Sequence, residues 1–225
     1  MLDYSIIIPV YNEEESLEQM WVEVRSVMLK LNCSYELIFV DDCSSDRSPQ
    51  ILKKFKKEAP NEVVILTLDS RRGQSYAMKQ GVNVVRGRIA FTLDADLQND
   101  PADIPRLLDK MEEGYDVVCG WRKARKDKPV KMVLSKFGNV LQRAFTGMTI
   151  HDVSCTLRAY KKDCLKDIGL DWEGQHRFIP LVLSKRGYKV GEIVSNHRQR
   201  RFGVSKYNHR RIFKVVVHFF KIMFA

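Results

Sequence analysis

The chain has no C-x-x-C pair. Its five cysteines, Cys33, Cys43, Cys119, Cys155 and Cys164, are scattered and odd in number. That pattern points to neither a zinc site nor a disulfide framework, and it suits a reducing compartment. No basic region followed by an apolar stretch and a small-residue cleavage site stands at the start. Strand-like sequence begins at Tyr4, so no secretory leader is expected. Internal repeats and low-complexity segments are also absent.

Acids are nearly missing from one end. The 225 residues carry 38 Lys and Arg against 28 Asp and Glu, a net charge of +10. Eleven of the bases but only one acid, Glu192, fall in residues 185–225, which leaves 27 of each sign before them. A neutral body with a basic end implies an anionic partner at that end, either a membrane surface or nucleic acid. With 44% hydrophobic and 29% charged residues, the length suits one α/β domain, or one domain with an appendage.

The last residues differ in kind from the rest. Ile212, Phe213, Val215, Val216, Val217, Phe219, Phe220, Ile222, Met223 and Phe224 are interrupted by Lys214, His218 and Lys221. With Arg211 those interruptions form one basic stripe on a helix, the chemistry of an interfacial amphipathic element. The alternative is a helix docked on the domain's own core. The stretch is too short and too charged to span a bilayer, which takes roughly 20 mainly apolar residues. The sequence ends in apolar residues, which leaves a continuation into membrane segments open. The division expected is 1–206 as the α/β domain and 207–225 as a juxtamembrane helix.

In the body, short apolar runs alternate with helical patterns. Strands are predicted near 4–10, 36–40, 63–68, 89–93, 116–120, 154–160 and 189–195. Helices are predicted over 14–31, 49–58, 74–85, 104–113, 133–145 and 175–186. Such alternation predicts a mostly parallel sheet covered on both faces, with ligands gathered beyond the strands' carboxyl ends. Asp41, Asp42, Asp94 and Asp96 all fall there. The chain is organised around Phe91-Thr92-Leu93-Asp94-Ala95-Asp96-Leu97-Gln98. Two carboxylates two residues apart repel unless something positive lies between them. A divalent cation with bound phosphate is the usual answer, and hard oxygen donors suit Mg²⁺ or Mn²⁺. The plainer reading is a strand end followed by a helix cap before Pro101. The polar run 122–131 reads either as a solvated loop or as an anion grip.

These motifs resemble those of the family-2 glycosyltransferases of GT-A fold, a Rossmann-like mostly parallel sheet flanked by helices. They resemble more narrowly the polyprenyl-phosphate glycosyltransferases, of which the dolichol-phosphate mannose synthases are the best known. The resemblance covers about residues 4–210. It rests on Ile8-Pro9-Val10-Tyr11-Asn12-Glu13, Val40-Asp41-Asp42-Cys43-Ser44-Ser45-Asp46, Asp94-Ala95-Asp96-Leu97-Gln98, Gly120-Trp121-Arg122, and the run from His197 to Tyr207 containing Arg200 and Lys206. The resemblance implies that Pro9, Tyr11, Glu13 and one of Asp41 or Asp42 hold the donor's nucleotide, with Asp94 and Ala95 beside them. It implies that Asp94, Asp96 and Gln98 bind the metal, Mg²⁺ or Mn²⁺. Arg122, Lys131, Ser135, Arg200 and Lys206 would grip the acceptor's phosphate, with Asp96, Arg122 and Arg200 closest to the chemistry. Cys43 departs from the family, many of whose members carry a polar residue there.

The activity implied is inverting, metal-dependent transfer of a hexose from a UDP- or GDP-sugar to a polyprenyl or dolichyl phosphate. Its implied place is the cytoplasmic membrane face, peripheral or integral, and a homo-oligomer is allowed. An ionised phosphate monoester needs no strong base. Glu173 and Asp171 lie where other members keep one, and read here as structural. A member acting on a soluble sugar or polysaccharide is the rival, and it would need such a base. A nucleic-acid module is disfavoured, since the carboxylate cluster would repel a polyanion. His151 and Asp152 read as structural. His176-Arg177-Phe178-Ile179-Pro180 reads either as a sugar-orienting motif or as helix-start packing.

Overall fold

The computed structural model describes residues 2–123 and 150–199. Seven strands form one sheet in the order β3-β2-β1-β4-β6-β5-β7. They are β1 (Tyr4–Val10), β2 (Tyr35–Asp41), β3 (Val63–Thr67), β4 (Ile89–Thr92), β5 (Val117–Trp121), β6 (Arg158–Lys161) and β7 (Val190–Val194). All neighbours are parallel except β6, which runs antiparallel to both β4 and β5. The expected mostly parallel sheet flanked by helices is observed.

The two faces of the sheet are read from alternate residues. Ile6, Ile8, Leu37, Phe39 and Phe91 point to one face. There they meet α1 (Leu17–Leu31), α2 (Ser48–Glu58) and α4 (Ile104–Glu112), with Trp21 of α1 stacked on Phe55 of α2 at 4.5 Å. Ile7, Ile38, Val40 and Ala90 point to the other face, against α3 (Gln74–Asn83) and α5 (Ile179–Lys185). Burial on both faces explains why β2 has no exposed position and reads as an unbroken apolar run from Leu37 to Val40. Helix α3 lies so close that a Cβ added at Gly81 would stand 2.5 Å from Ile7 Cγ2.

Several bounds differ from the sequence expectation. Helix α1 starts at Leu17 rather than at 14, because residues 14–16 form a turn in which Ser16 N and Leu17 N donate to Glu13 O. Strand β6 starts at Arg158 rather than at 154. Thr92 Oγ1 donates to the Thr156 carbonyl, taking with a side chain an acceptor that a ladder would use. The expected helix 175–186 is a 3₁₀ turn, Gln175–Phe178, followed by α5 with Pro180 in its first turn. The helix over 133–145 and the element 207–225 lie outside the described residues, as does the boundary at 206. Among the described residues no helix is long and apolar enough to cross a membrane.

Candidate active site

Strands β1, β2 and β3 are laid down in one direction, and β4 returns to the other side of β1. The crevice at such a switch point lies beyond the carboxyl ends of β1 and β4. Pro9 marks where it opens. Ile7 O takes Leu93 N, the last bond between β1 and β4. Pro9 lies two residues on, facing the side that β4 has already left, so its missing N–H costs no ladder bond.

The loop after β1 is stitched to the loop after β2. Asn12, at φ 52°, donates its N–H to Ser44 Oγ, and its Oδ1 accepts from Ser45 N at 2.8 Å. Glu13 N donates to Ser48 Oγ at 2.9 Å. Asp41 is buried and accepts from Ser44 N. Asp42 uses both oxygens on the backbone of the next loop, accepting from Arg72 N at 2.6 Å and Gly73 N at 2.9 Å. Of the two candidates for the nucleotide, Asp42 therefore serves as a clasp on the start of α3, and Asp41 faces its own turn. The same loop lays the Arg71 guanidinium 4.1 Å from the centre of the Tyr11 ring.

The carboxylate loop follows β4, which ends at Thr92, so Asp94 and Asp96 project from a turn rather than from the strand. Asp94 is gripped at both oxygens: Gln74 Nε2 donates to Oδ1 at 2.7 Å and Thr156 Oγ1 to Oδ2 at 2.6 Å. Thr156 is itself oriented by Asn99 Nδ2 at 2.9 Å. Asp96 is buried, and its Oδ1 accepts from Gln98 N across Leu97, whose φ is 60°. Ala95 is buried between them. Burial first, and the Asp96 charge second, push the Asp94 carboxyl up to about 6. Two carboxylates held this way fit a divalent cation, because a cation removes the repulsion that raises Asp94 and their hard oxygens match Mg²⁺ or Mn²⁺. Among the described residues no three His, Cys, Asp or Glu gather as a cage. The donors the sequence proposes are Asp94, Asp96 and the Gln98 amide, which would leave most of such an ion's coordination to water and other oxygen ligands.

Cations line the far wall. Arg122, at the end of β5, forms a bidentate pair with Asp152, Nε to Oδ2 at 2.7 Å and Nη2 to Oδ1 at 3.0 Å, and Nη2 reaches Ser154 Oγ at 2.7 Å. Burial works against its charge, but the Asp152 bonds outweigh that and hold its pKa above the ordinary value. Arg177 is pushed down to about 10, by burial first. Glu173 and Asp94 support its charge, and Arg122 and Arg158 oppose it. Arg122, Arg177 and Asp94 therefore share one field.

Glu173 and His176 fasten this wall to α3. Ser75 Oγ is 2.8 Å from His176 Nδ1 and accepts from Gly174 N at 2.9 Å, while Glu173 Oε2 accepts from Ser75 N. A Cβ at Gly73, φ 90°, would lie 2.2 Å from Glu173 Oε2. Burial above all, then the Arg177 and Arg158 charges, hold His176 well below its usual range, so the ring is neutral at pH 7. Arg158 is fully buried and donates to the carbonyls of Val153, His176 and Arg177. Asp171 is paired with Lys79 at 2.6 Å.

The structure brings together Pro9, Tyr11, Glu13, Asp41, Asp42, Asp94, Ala95, Asp96, Gln98 and Arg122 at one end of the sheet. Lys131, Ser135, Arg200 and Lys206 lie outside the described residues. Sequence reasoning missed Gln74, Asn99, Thr156 and the role of Asp152 on Arg122. Their partners are 20 to 62 residues away along the chain, and no local signal marks them.

Residues 5–169 match the profile of Glycosyl transferase family 2. An undecaprenyl-phosphate 4-deoxy-4-formamido-L-arabinose transferase of Photorhabdus laumondii is 38% identical over 94% of this chain and 65% of its own length. A dodecaprenyl-phosphate galacturonate synthase of Rhizobium johnstonii is 36% identical over 99% of this chain and 67% of its own. The chain thus spans about two thirds of the length of these curated relatives. Glucosyl-3-phosphoglycerate synthase of Mycobacterium tuberculosis in complex with UDP superposes with a TM-score of 0.74 at 17% identity, over 99% of this chain and 80% of that one. The same enzyme with Mg²⁺ and UDP gives 0.70 at 16%, over 99% and 79%. At that identity the likeness speaks for the fold, a GT-A-like α/β domain.

Proposed function

The chain belongs to glycosyl transferase family 2, and from that premise we propose that it moves a glycosyl group from a UDP- or GDP-sugar to a polyprenyl phosphate at the cytoplasmic membrane face. Support comes from two polyprenyl-phosphate sugar transferases that are more than a third identical over almost the whole chain. The expected hexose is widened to a glycosyl group, because one relative is named for a substituted arabinose and the other for galacturonate. The observation that carries the reading is the Asp94–Asp96 pair. It is held at the sheet's switch point with Asp94 gripped at both oxygens, and the Arg122 and Arg177 charges favour the ionised form of Asp94.

In this reading Pro9, Tyr11, Glu13 and Asp41 hold base and ribose, and Asp42 shapes the loop that carries Arg71 over Tyr11. Asp94, Asp96 and Gln98 hold Mg²⁺ or Mn²⁺ with the diphosphate. The bound cation supplies charge neutralisation for the departing diphosphate. Arg122, locked by Asp152, faces the acceptor phosphate together with Lys131, Ser135, Arg200 and Lys206. The acceptor is a nucleophile as it stands, since a phosphate monoester with a second pKa of about 6 is mostly ionised at neutral pH. Attack opposite the diphosphate inverts the anomeric centre. The chain's main electrostatic task is to hold two anions within reach of each other, which preorganised guanidinium groups do at no cost in reorganisation. Glu173 Oε2 accepts from Ser75 N beside Gly73, a structural role in this reading, which asks no base of it.

The test is a donor screen with Mn²⁺ and a short-chain polyprenyl phosphate. UDP-glucose, UDP-N-acetylglucosamine, UDP-galactose, UDP-galacturonate and GDP-mannose are offered in turn, and lipid-linked sugar is measured. The expected outcome is product from one donor, reduced at least 100-fold by Asp96→Ala, on the order of one lost electrostatic contact to the transition state. Nucleotide release with a soluble sugar acceptor and no lipid product would overturn the reading.

A further inference from the structure

The segment that leaves β7 crosses directly over the carboxylate loop. Ser195 N donates to the Trp121 carbonyl. Asn196 is held by Asp103 at two points, N to Oδ2 at 2.6 Å and Nδ2 to Oδ1 at 3.0 Å. His197 forms an antiparallel bridge with Asn99, and Arg198 N donates to the Gln98 carbonyl at 2.8 Å. The Arg198 guanidinium then forks, Nη1 to Glu23 Oε2 of α1 at 2.6 Å and Nη2 to Asp100 Oδ1 at 2.8 Å. Asp100 also caps the 3₁₀ turn Pro101–Asp103 through Ala102 N. Through its backbone and side chain, Arg198 thus fixes Gln98, Asp100 and α1 together.

From this geometry we infer that Arg198 is a positioning residue for the Asp94–Gln98 cradle, and that it acts on donor diphosphate binding without touching the donor. The inference rests on the reading of that loop as the diphosphate and cation site. An exposed ion pair alone contributes little to stability. This one is different in place: it is two-thirds or more shielded on all three partners and holds the exit of a loop that carries Leu97 at positive φ. A planar fork can reach carboxylates on two elements at once, which a lysine ammonium cannot do with the same geometry. The loop's two carboxylates must approach within bonding distance of one cation against their mutual repulsion, so its exit has to be stiff. Groups that orient ligands in this way typically set cation affinity by 10-fold or more.

Arg198→Gln, Arg198→Lys and Asp96→Ala are compared with wild type in two measurements. One is titration calorimetry with UDP and with GDP, each in the presence of Mn²⁺. The other is backbone amide exchange over residues 94–100 in the metal-free protein. Arg198→Gln is expected to speed exchange in that segment alone and to weaken nucleoside diphosphate binding by about 10-fold or more. Its Tm should fall by no more than about 4 °C, and Arg198→Lys should recover only part of the affinity. Wild-type affinity and wild-type exchange in Arg198→Gln would overturn the positioning role and leave the donor reading standing, provided that Asp96→Ala has lost binding. Loss of protection throughout the chain would reduce Arg198 to a stability residue and overturn it too. Failure of the wild type to bind either nucleotide would overturn the donor reading, and this inference with it.

Discussion

Asp94 is the residue in which the physics of the site is most concentrated. Its carboxyl is pushed up to about 6 by burial and by Asp96, whereas an unfolded chain's aspartate titrates near 4. A folded value above the unfolded one favours the protonated form in the native state. The stabilisation is therefore fully present below about pH 4 and is lost as pH rises through about 6. In metal-free protein, denaturant midpoints are expected to fall between those pH values for wild type and to stay flatter for Asp94→Asn. Mn²⁺ needs the ionised form, so its affinity should rise over the same interval. A wild-type profile as flat as that of Asp94→Asn would contradict the burial and repulsion assigned here. At this scale the sequence is legible where the proposed site is local. Asp94, Asp96 and Gln98 stand in one short run, and the spacing alone suggests a cation. The residues that orient Asp94 were not legible. Thr156 and Gln74 are ordinary polar residues in their own surroundings, and only the fold sets them against the carboxylate. Asp152 likewise reads as a turn residue until β5 brings Arg122 onto it.

The elements show the same division. Strands β1, β2 and β4 announce themselves because burial on both faces requires continuous apolar runs, and the Asp-rich ends follow directly. The antiparallel β6 was harder to bound, since Thr92 takes the Thr156 carbonyl by side chain and shortens the ladder. The switch from 3₁₀ turn to helix at Ile179 depends on Pro180 and on the buried Arg158 holding the His176 and Arg177 carbonyls, which no periodicity reveals. Gly81 tests how closely α3 packs. Alanine there should gain helix propensity of nearly 1 kcal/mol, yet its Cβ would meet Ile7 Cγ2 at 2.5 Å and Val40 Cγ2 at 3.3 Å. Both neighbours are β-branched and stiff. The clash is expected to prevail, with Gly81→Ala destabilised by about 1–3 kcal/mol in equilibrium denaturation. An unchanged or raised stability would show that α3 can move away from the sheet.

At the scale of the molecule, a body without net charge ends in a strongly basic segment, and the carboxylate loop sits at the end of the sheet over which that segment begins to pass. In the proposed reading, one anion, the donor's diphosphate, would be matched by a cation held at Asp94 and Asp96. A second anion, the acceptor's phosphate, would be matched by guanidinium groups such as that of Arg122. That the acceptor is itself anionic is the central claim of the proposed function. The most direct measurement offers the active donor with two acceptors identical except for the phosphate, a short-chain polyprenyl phosphate and the corresponding free polyprenol. The account predicts glycosylated lipid from the phosphate alone, with Glu173→Gln keeping most of the rate because no base is needed. Comparable transfer to the free alcohol, abolished by Glu173→Gln, would contradict it.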